Sequence, residues 1–214
     1  MARNLTTIRR YRFPQREDNH FEFLIDSVAF FPRMLAAIDK ARQYVLLEMY
    51  LIASGSVADR FIIALLAAAR RGVRIRLLLD DYGAIELKQH DRERLAHRNI
   101  QIVYYNPLAS HSTLYNLYRI VRHRGHHSLY RNHRKLLLVD GTLAYTGGAG
   151  ITDAVDAPRQ PDMRWRETML EIRGPVLGDW LELFTESWNK YAAEPLTLPA
   201  ATPRAVPNGE QGRV

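Results

Sequence analysis

The 214-residue chain has no cysteine, which excludes a disulfide framework and any thiolate metal site and leaves a reducing compartment open to it. It has no long apolar run. The longest, FIIALLAAA from Phe61 to Ala69, is less than half of the about 20 residues that a membrane helix needs. The N-terminus MARNLTTIRRYRFPQR carries Arg3, Arg9, Arg10, Arg12 and Arg16 without an acid, yet no apolar stretch follows at signal-peptide distance, so the cytosol is the expected compartment. Acid is also missing from Arg94 to Val139, where Arg94, Arg98, Arg119, Arg122, Arg124, Arg131, Arg134 and Lys135 all fall. A field of one sign over a contiguous segment concentrates anions. Lysine is scarce: of 30 basic residues only Lys40, Lys88, Lys135 and Lys190 are lysines.

What is present is the pattern of an α/β domain. FEFLIDSVAF reads as a strand and turn, and Pro32 suits the first residue of a helix with Leu35, Ile38 and Ala41 inward. QYVLLEMYL (43–51) reads as a buried strand. VADRFIIALLAAARRG follows as an amphipathic helix stopped at Gly72, and GVRIRLLLDD as the next strand. Strand, helix and strand with short links predict a right-handed parallel crossover. A helix around 86–97 and the strand IQIVYYNP repeat the unit. Residues 110–125 place Leu114, Leu117, Tyr118 and Val121 at helical spacing, which suits a core-facing helix or, on its basic face, the headgroup layer of an anionic membrane. LYRNHRKLLLVDGTLAYTGG predicts a hairpin turning at Asp140-Gly141. ETMLEIRGP reads as another strand, and VLGDWLELFTESWNKY as a final helix burying Trp180, Phe184 and Trp188. The expected organisation is a basic tail (1–20), one domain (21–191) and a proline-rich linker or tail (192–214).

The chemistry concentrates in NHRKLLLVDGTLAYTGG. In the predicted strand His133, Lys135, Leu137 and Val139 share a face, which sets an imidazole beside an ammonium at roughly 7 Å at the strand's start. That pair suits a phosphate: lysine supplies a compact, rotatable charge to oxygens that gain charge in the transition state, and histidine a nucleophile or acid. Singly, each residue has an ordinary explanation, Asp140 as a turn residue and His133 as a half-buried strand end. Together, the spacing His-x-Lys-x4-Asp arises by chance in roughly one such sequence in a hundred, and Gly147-Gly148 follows where a backbone can approach a ligand.

These residues resemble the HxKxxxxD motif and glycine pair of the phospholipase D superfamily. EMYLIASGSVADRFIIALLAAARRGVRIRLLLDDYG and WRETMLEIRGPV further resemble the N-terminal half of bacterial cardiolipin synthases, and the similarity runs from about Phe21 to Tyr191. The resemblance implies a phospholipase D-like α/β fold, a mixed central sheet flanked by helices on both faces. It implies that His133 attacks phosphorus or protonates the leaving group, that Lys135 binds the phosphate, that Asp140 supports the site and that Glu167 orients the histidine. Arg134, Gly147 and Gly148 are the expected substrate-binding residues. No metal or other cofactor is implied, and His123, His126 and His127 have no cysteine or acid at ligand spacing.

Two departures stand out. Gly150 occupies a position where relatives commonly have Asn, and the chain carries one motif where the family's site uses two. A homodimer, a separately encoded second half or a longer enzyme would each complete it. The implied activity is phosphatidyl transfer through a phosphohistidine on anionic phospholipid, by a cytoplasmic protein peripheral at the inner membrane face. The alternatives are a homodimeric phosphodiesterase or nuclease, with nucleic acid as partner, and an inactive lipid-binding half.

Overall fold

The computed structural model describes residues 13–107, 131–156, 166–199 and 203–214. Eight strands form one sheet: β1 (Arg16–Ile25), β2 (Tyr44–Met49), β3 (Arg74–Asp80), β4 (Ile100–Tyr105), β5 (Lys135–Val139), β6 (Leu143–Gly147), β7 (Thr168–Arg173) and β8 (Glu210–Gly212). Their order is β4-β3-β2-β5-β6-β7-β1-β8. β2, β3 and β4 run parallel, as the crossover pattern predicts, and every other pairing is antiparallel. The described helices are α1 (Ser27–Lys40), α2 (Ser56–Arg70), α3 (Gln89–Arg94), α4 (Asp153–Asp156) and α5 (Leu177–Tyr191).

Strand alternation divides the core into two layers, as the expected mixed sheet with helices on both faces requires. On one face Leu47, Leu77 and Leu137 pack with Phe30, Phe31 and Met34 of α1 and with Phe61, Ile62 and Leu65 of α2. On the other, Leu46, Leu138 and Ile172 meet Leu177, Phe184 and Trp188 of α5. β2 is central and buried along its whole length. Each fully buried Leu or Phe contributes about 1.5–3 kcal/mol, so these two layers dominate the favourable side of folding.

Several boundaries differ from the sequence expectation. Pro32 is the sixth residue of α1, not the first, because the buried pair Phe30 and Phe31 carries the helix back to Ser27. The carbonyl its ring leaves without an intrahelical donor belongs to Val28, a residue exposed to solvent. The helix expected over 86–97 is shortened to α3, which starts after Lys88, whose backbone N–H donates to Ser54 Oγ at 2.8 Å; before it, Asp80 Oδ1 accepts the backbone N–H groups of Tyr82 and Gly83 at 3.0 and 3.2 Å in a turn. The stretch 110–125 and His123, His126 and His127 lie outside the described residues.

The described parts of the terminal segments join the sheet. β1 begins inside the expected basic tail, and Arg16 makes a two-pronged pair with buried Asp179 at 3.1 and 2.8 Å. β8 pairs with β1, Val206 N–H donates to Asp18 O at 2.8 Å, and Leu196, Leu198 and Val214 pack against the α5 layer. A strand edge needs a partner, and this short strand covers one.

The β5–β6 hairpin is present with a three-residue link, 140–142, in which Asp140 (φ 51°) and Gly141 (φ 65°) are both left-handed. Asp140 turns its carboxylate onto the α1–β2 connection, accepting the N–H groups of Arg42, Gln43 and Tyr44, each at 2.8 Å. Asp140→Ala is expected to lower stability by about 1–3 kcal/mol, the cost of leaving these donors without their acceptor, in a urea unfolding titration.

Candidate functional site

The parallel strands β2, β3 and β4 end at one edge of the sheet, where antiparallel β5 and β7 begin. The carboxyl ends of parallel strands are where α/β sheets open a crevice for ligands. The antiparallel β2–β5 register sets Met49 opposite Lys135. Tyr50, one residue past Met49, and His133, two residues before Lys135, meet at the mouth of the sheet.

His133 lies two residues before β5, not within it, and its side chain is exposed. Its imidazole stacks on the Tyr50 ring, with centroids 3.8 Å apart and planes 20° from parallel. Lys135 opens β5, its Nζ 5.4 Å from the Tyr50 ring centroid and donating to the His133 carbonyl at 3.0 Å. An ammonium over an aromatic face is held electrostatically. An ammonium has three donors, so among the described contacts two remain for an incoming oxygen. Burial pushes the Lys135 ammonium below the ordinary lysine range, and the charge of Glu167 partly offsets this.

Glu167 precedes β7 at the same edge, and its carbonyl accepts the Asp26 N–H at 2.9 Å. Its carboxylate lies against the glycine pair: a Cβ on Gly148 would stand 2.0 Å from Glu167 Oε2. Gly147, with φ 153°, is as tightly backed, since a Cβ there would stand 2.3 Å from the Thr168 carbonyl oxygen. The pair is small because β7 and Glu167 cross it closely. Gly150 is also enclosed, its would-be Cβ 2.8 Å from the Leu51 carbonyl oxygen, so the backbone following Tyr50 fills the place a larger side chain would take.

The edge thus brings together His133, Lys135, Glu167, Gly147 and Gly148. Two other expected residues stand apart. Asp140 lies at the opposite end of β5, about 16 Å along the strand, and acts on the α1–β2 turn. Arg134 alternates to the other face, where Nη2 sits 3.0 Å from Glu48 Oε1 and bonds Ser187 of α5. It serves the interior rather than the crevice. Tyr50 is the residue that sequence reasoning passed over. Its only signal is an aromatic at the end of a buried strand, and its partner comes from 83 positions away in the chain.

Residues 34–175 match the family model described as "Cardiolipin synthase, PLD-like domain". Cardiolipin synthase A of Pseudomonas aeruginosa (strain UCBPP-PA14) is 29% identical over 194 residues, which are 90% of this chain and 37% of that protein. The enzyme of the same name from Pseudomonas putida is 30% identical over 90% of this chain and 38% of that protein. The chain therefore spans little more than a third of the length of these curated relatives. Among solved structures, the phospholipase D family member Nuc from Salmonella typhimurium superposes with a TM-score of 0.57 at 17% identity, covering 83% of this chain and 99% of that one. NucT from Helicobacter pylori does so at 0.61 and 13%, covering 81% and 98%. At such identities the likeness is one of fold.

Gly148→Ala is expected to displace the Glu167 carboxylate, and with it the charge that holds up the Lys135 ammonium. In an NMR titration of 13C-methylated lysines, Lys135 should ionise below the ordinary lysine range and lower still in Gly148→Ala and Glu167→Gln. Inorganic phosphate should bind progressively more weakly as pH rises through that transition, because the bound form needs the charged amine.

Proposed function

The chain belongs to the cardiolipin synthase, phospholipase D-like domain family, and from that premise we propose that it performs phosphatidyl transfer through a phosphohistidine on anionic phospholipid. The observation that carries the reading is the convergence of His133, Lys135 and Glu167 at one open edge. In the first step an imidazole nitrogen of His133 bonds to phosphorus as the bond from phosphorus to the leaving alcohol oxygen breaks, and a general acid protonates that oxygen. In the second, an acceptor alcohol gives up its proton, its oxygen bonds to phosphorus, and the P–N bond breaks. Lys135 stabilises the charge gathering on the non-bridging oxygens. Glu167 balances the imidazolium and the ammonium in turn.

In-line displacement needs a nucleophile on one side of phosphorus and an acid on the other. One histidine does not serve both, so a second HxKxxxxD motif, from a second copy or another half, completes the reaction. The lipid reading is also supported by exposed apolar side chains flanking this edge: Phe23, Ile25 and Val28 at the β1–α1 end and Tyr82 and Ile85 after β3. Such a rim suits the apolar boundary of a bilayer on the cytoplasmic side. No helix among the described residues is long and apolar enough to cross a membrane.

A second reading, a homodimeric phosphodiesterase of nucleic acid, is favoured by the acid-free basic segment from Arg94 to Val139. Incubation with phosphatidylglycerol labelled in its phosphate, alone and with a chain supplying a second motif, distinguishes the two. Labelled protein that is lost in His133→Ala, with labelled cardiolipin formed, is the expected result. DNA cleavage in EDTA by a stable dimer, with no lipid turnover, would replace the lipid reading. No labelled histidine and no product in either mixture would overturn both.

A further inference from the structure

β2 carries one charged side chain, Glu48, and it is 1% exposed in the middle of the sheet. It faces the α5 layer, away from Lys135. Its Oε1 accepts the Asn132 side-chain N–H and lies 3.0 Å from Arg134 Nη2, while Arg134 also reaches Ser187 in α5. A second buried carboxylate acts beside it: Asp80 Oδ2 accepts the Asn132 backbone N–H at 2.9 Å. Asn132 Oδ1 in turn accepts the Arg134 backbone N–H at 3.1 Å and its Nε–H at 3.3 Å. Both neighbours of His133 are thus drawn inward onto carboxylates of β2 and β3. His133, between them, is turned out flat against Tyr50.

Stability gives no reason for an acid at this place. Burial pushes the Glu48 carboxyl above the usual carboxylate range, against the pull of Arg134 and Asn132. Buried ion pairs are often no better for stability than apolar side chains of the same volume, although removing one partner alone is costly. The apolar β2 around it would accept a leucine. What an apolar residue would not do is hold the 132–134 arch in a single shape.

We propose that Glu48 is a positioning residue for His133: through Asn132 and Arg134 it fixes the arch that presents the imidazole to the crevice and against Tyr50. The kinetic part of the test rests on the function proposed above; the geometric part does not. The double variant Glu48→Leu/Arg134→Met removes both charges at similar volume. Its urea midpoint should be unchanged or raised. In protein labelled at histidine, nuclear Overhauser contacts between the His133 and Tyr50 rings should nevertheless be lost. Lipid turnover should fall about 100-fold with little change in KM, the effect of misplacing a reacting group by about 1 Å. Glu48→Gln, which keeps an acceptor at Oε1 and loses the charge, should fall between wild type and the double variant, and it carries the same readouts should the double variant not fold. A folded variant that retains the ring contacts and the turnover would overturn the assignment. So would losses that merely follow the unfolded fraction. If the wild type turns over no lipid, the proposed reaction fails, while the contacts between the His133 and Tyr50 rings still decide the role of Glu48.

Discussion

The antiparallel pairing of β2 with β5 is the contact on which the site depends. Its register puts Met49 opposite Lys135, and a slip of β5 by one residue would turn Lys135 into the α5 layer and Arg134 away from Glu48. Both faces of β2 are buried, so the apolar layers hold that register strongly. From it follow the Tyr50–His133 stack, the Lys135 ammonium over the same ring, and the reach of Arg134 to Glu48. The site is a by-product of correct packing at the centre of the sheet, and its chemistry is confined to the edge where that packing ends.

Charge is sorted by the same alternation. Lys135 opens the strand on one face, half-buried and electrically coupled to Glu167; Arg134, one position earlier, crosses to the other and meets a buried acid. The two cations differ in chemistry as well as direction. The planar guanidinium makes several fixed hydrogen bonds within the protein, whereas the ammonium, on a flexible stem, keeps donors for a ligand. This gives a physical reason for lysine at position 135 in a chain that uses arginine for most of its basic residues.

Much of this was legible in the residues. The α/β class, the parallel β2–β3–β4 unit, the hairpin and the buried final helix follow from periodicities of 2 and 3.6 and from turn residues, which are local properties. His133, Lys135 and the glycine pair were legible as candidates from motif spacing, and Glu167 from the family resemblance. Tyr50 and Glu48 were not, because their roles come from partners more than 80 positions away, which no local pattern encodes. Arg134 and Asp140 were assigned to the crevice because they sit within the motif. Strand alternation takes the first to the opposite face, and strand length takes the second to the opposite edge. The terminal segments were read as tails because they lack apolar density, but an edge strand is held by backbone pairing, which depends little on side-chain type.

The sequence by itself determined the elements and the reactive groups, since helix and strand periods, turn preferences and the ionisable side chains are fixed by composition and order. Only the tertiary structure decided which of those groups meet. The sheet order inserts β5 beside β2 and places β7 two strands further along, so a histidine and a lysine from one stretch and a glutamate from another reach one edge, while an aspartate five residues past the lysine does not. The reason is geometric: a strand separates its ends by about 3.3 Å per residue and alternates its faces, so closeness in the chain does not mean closeness at the site.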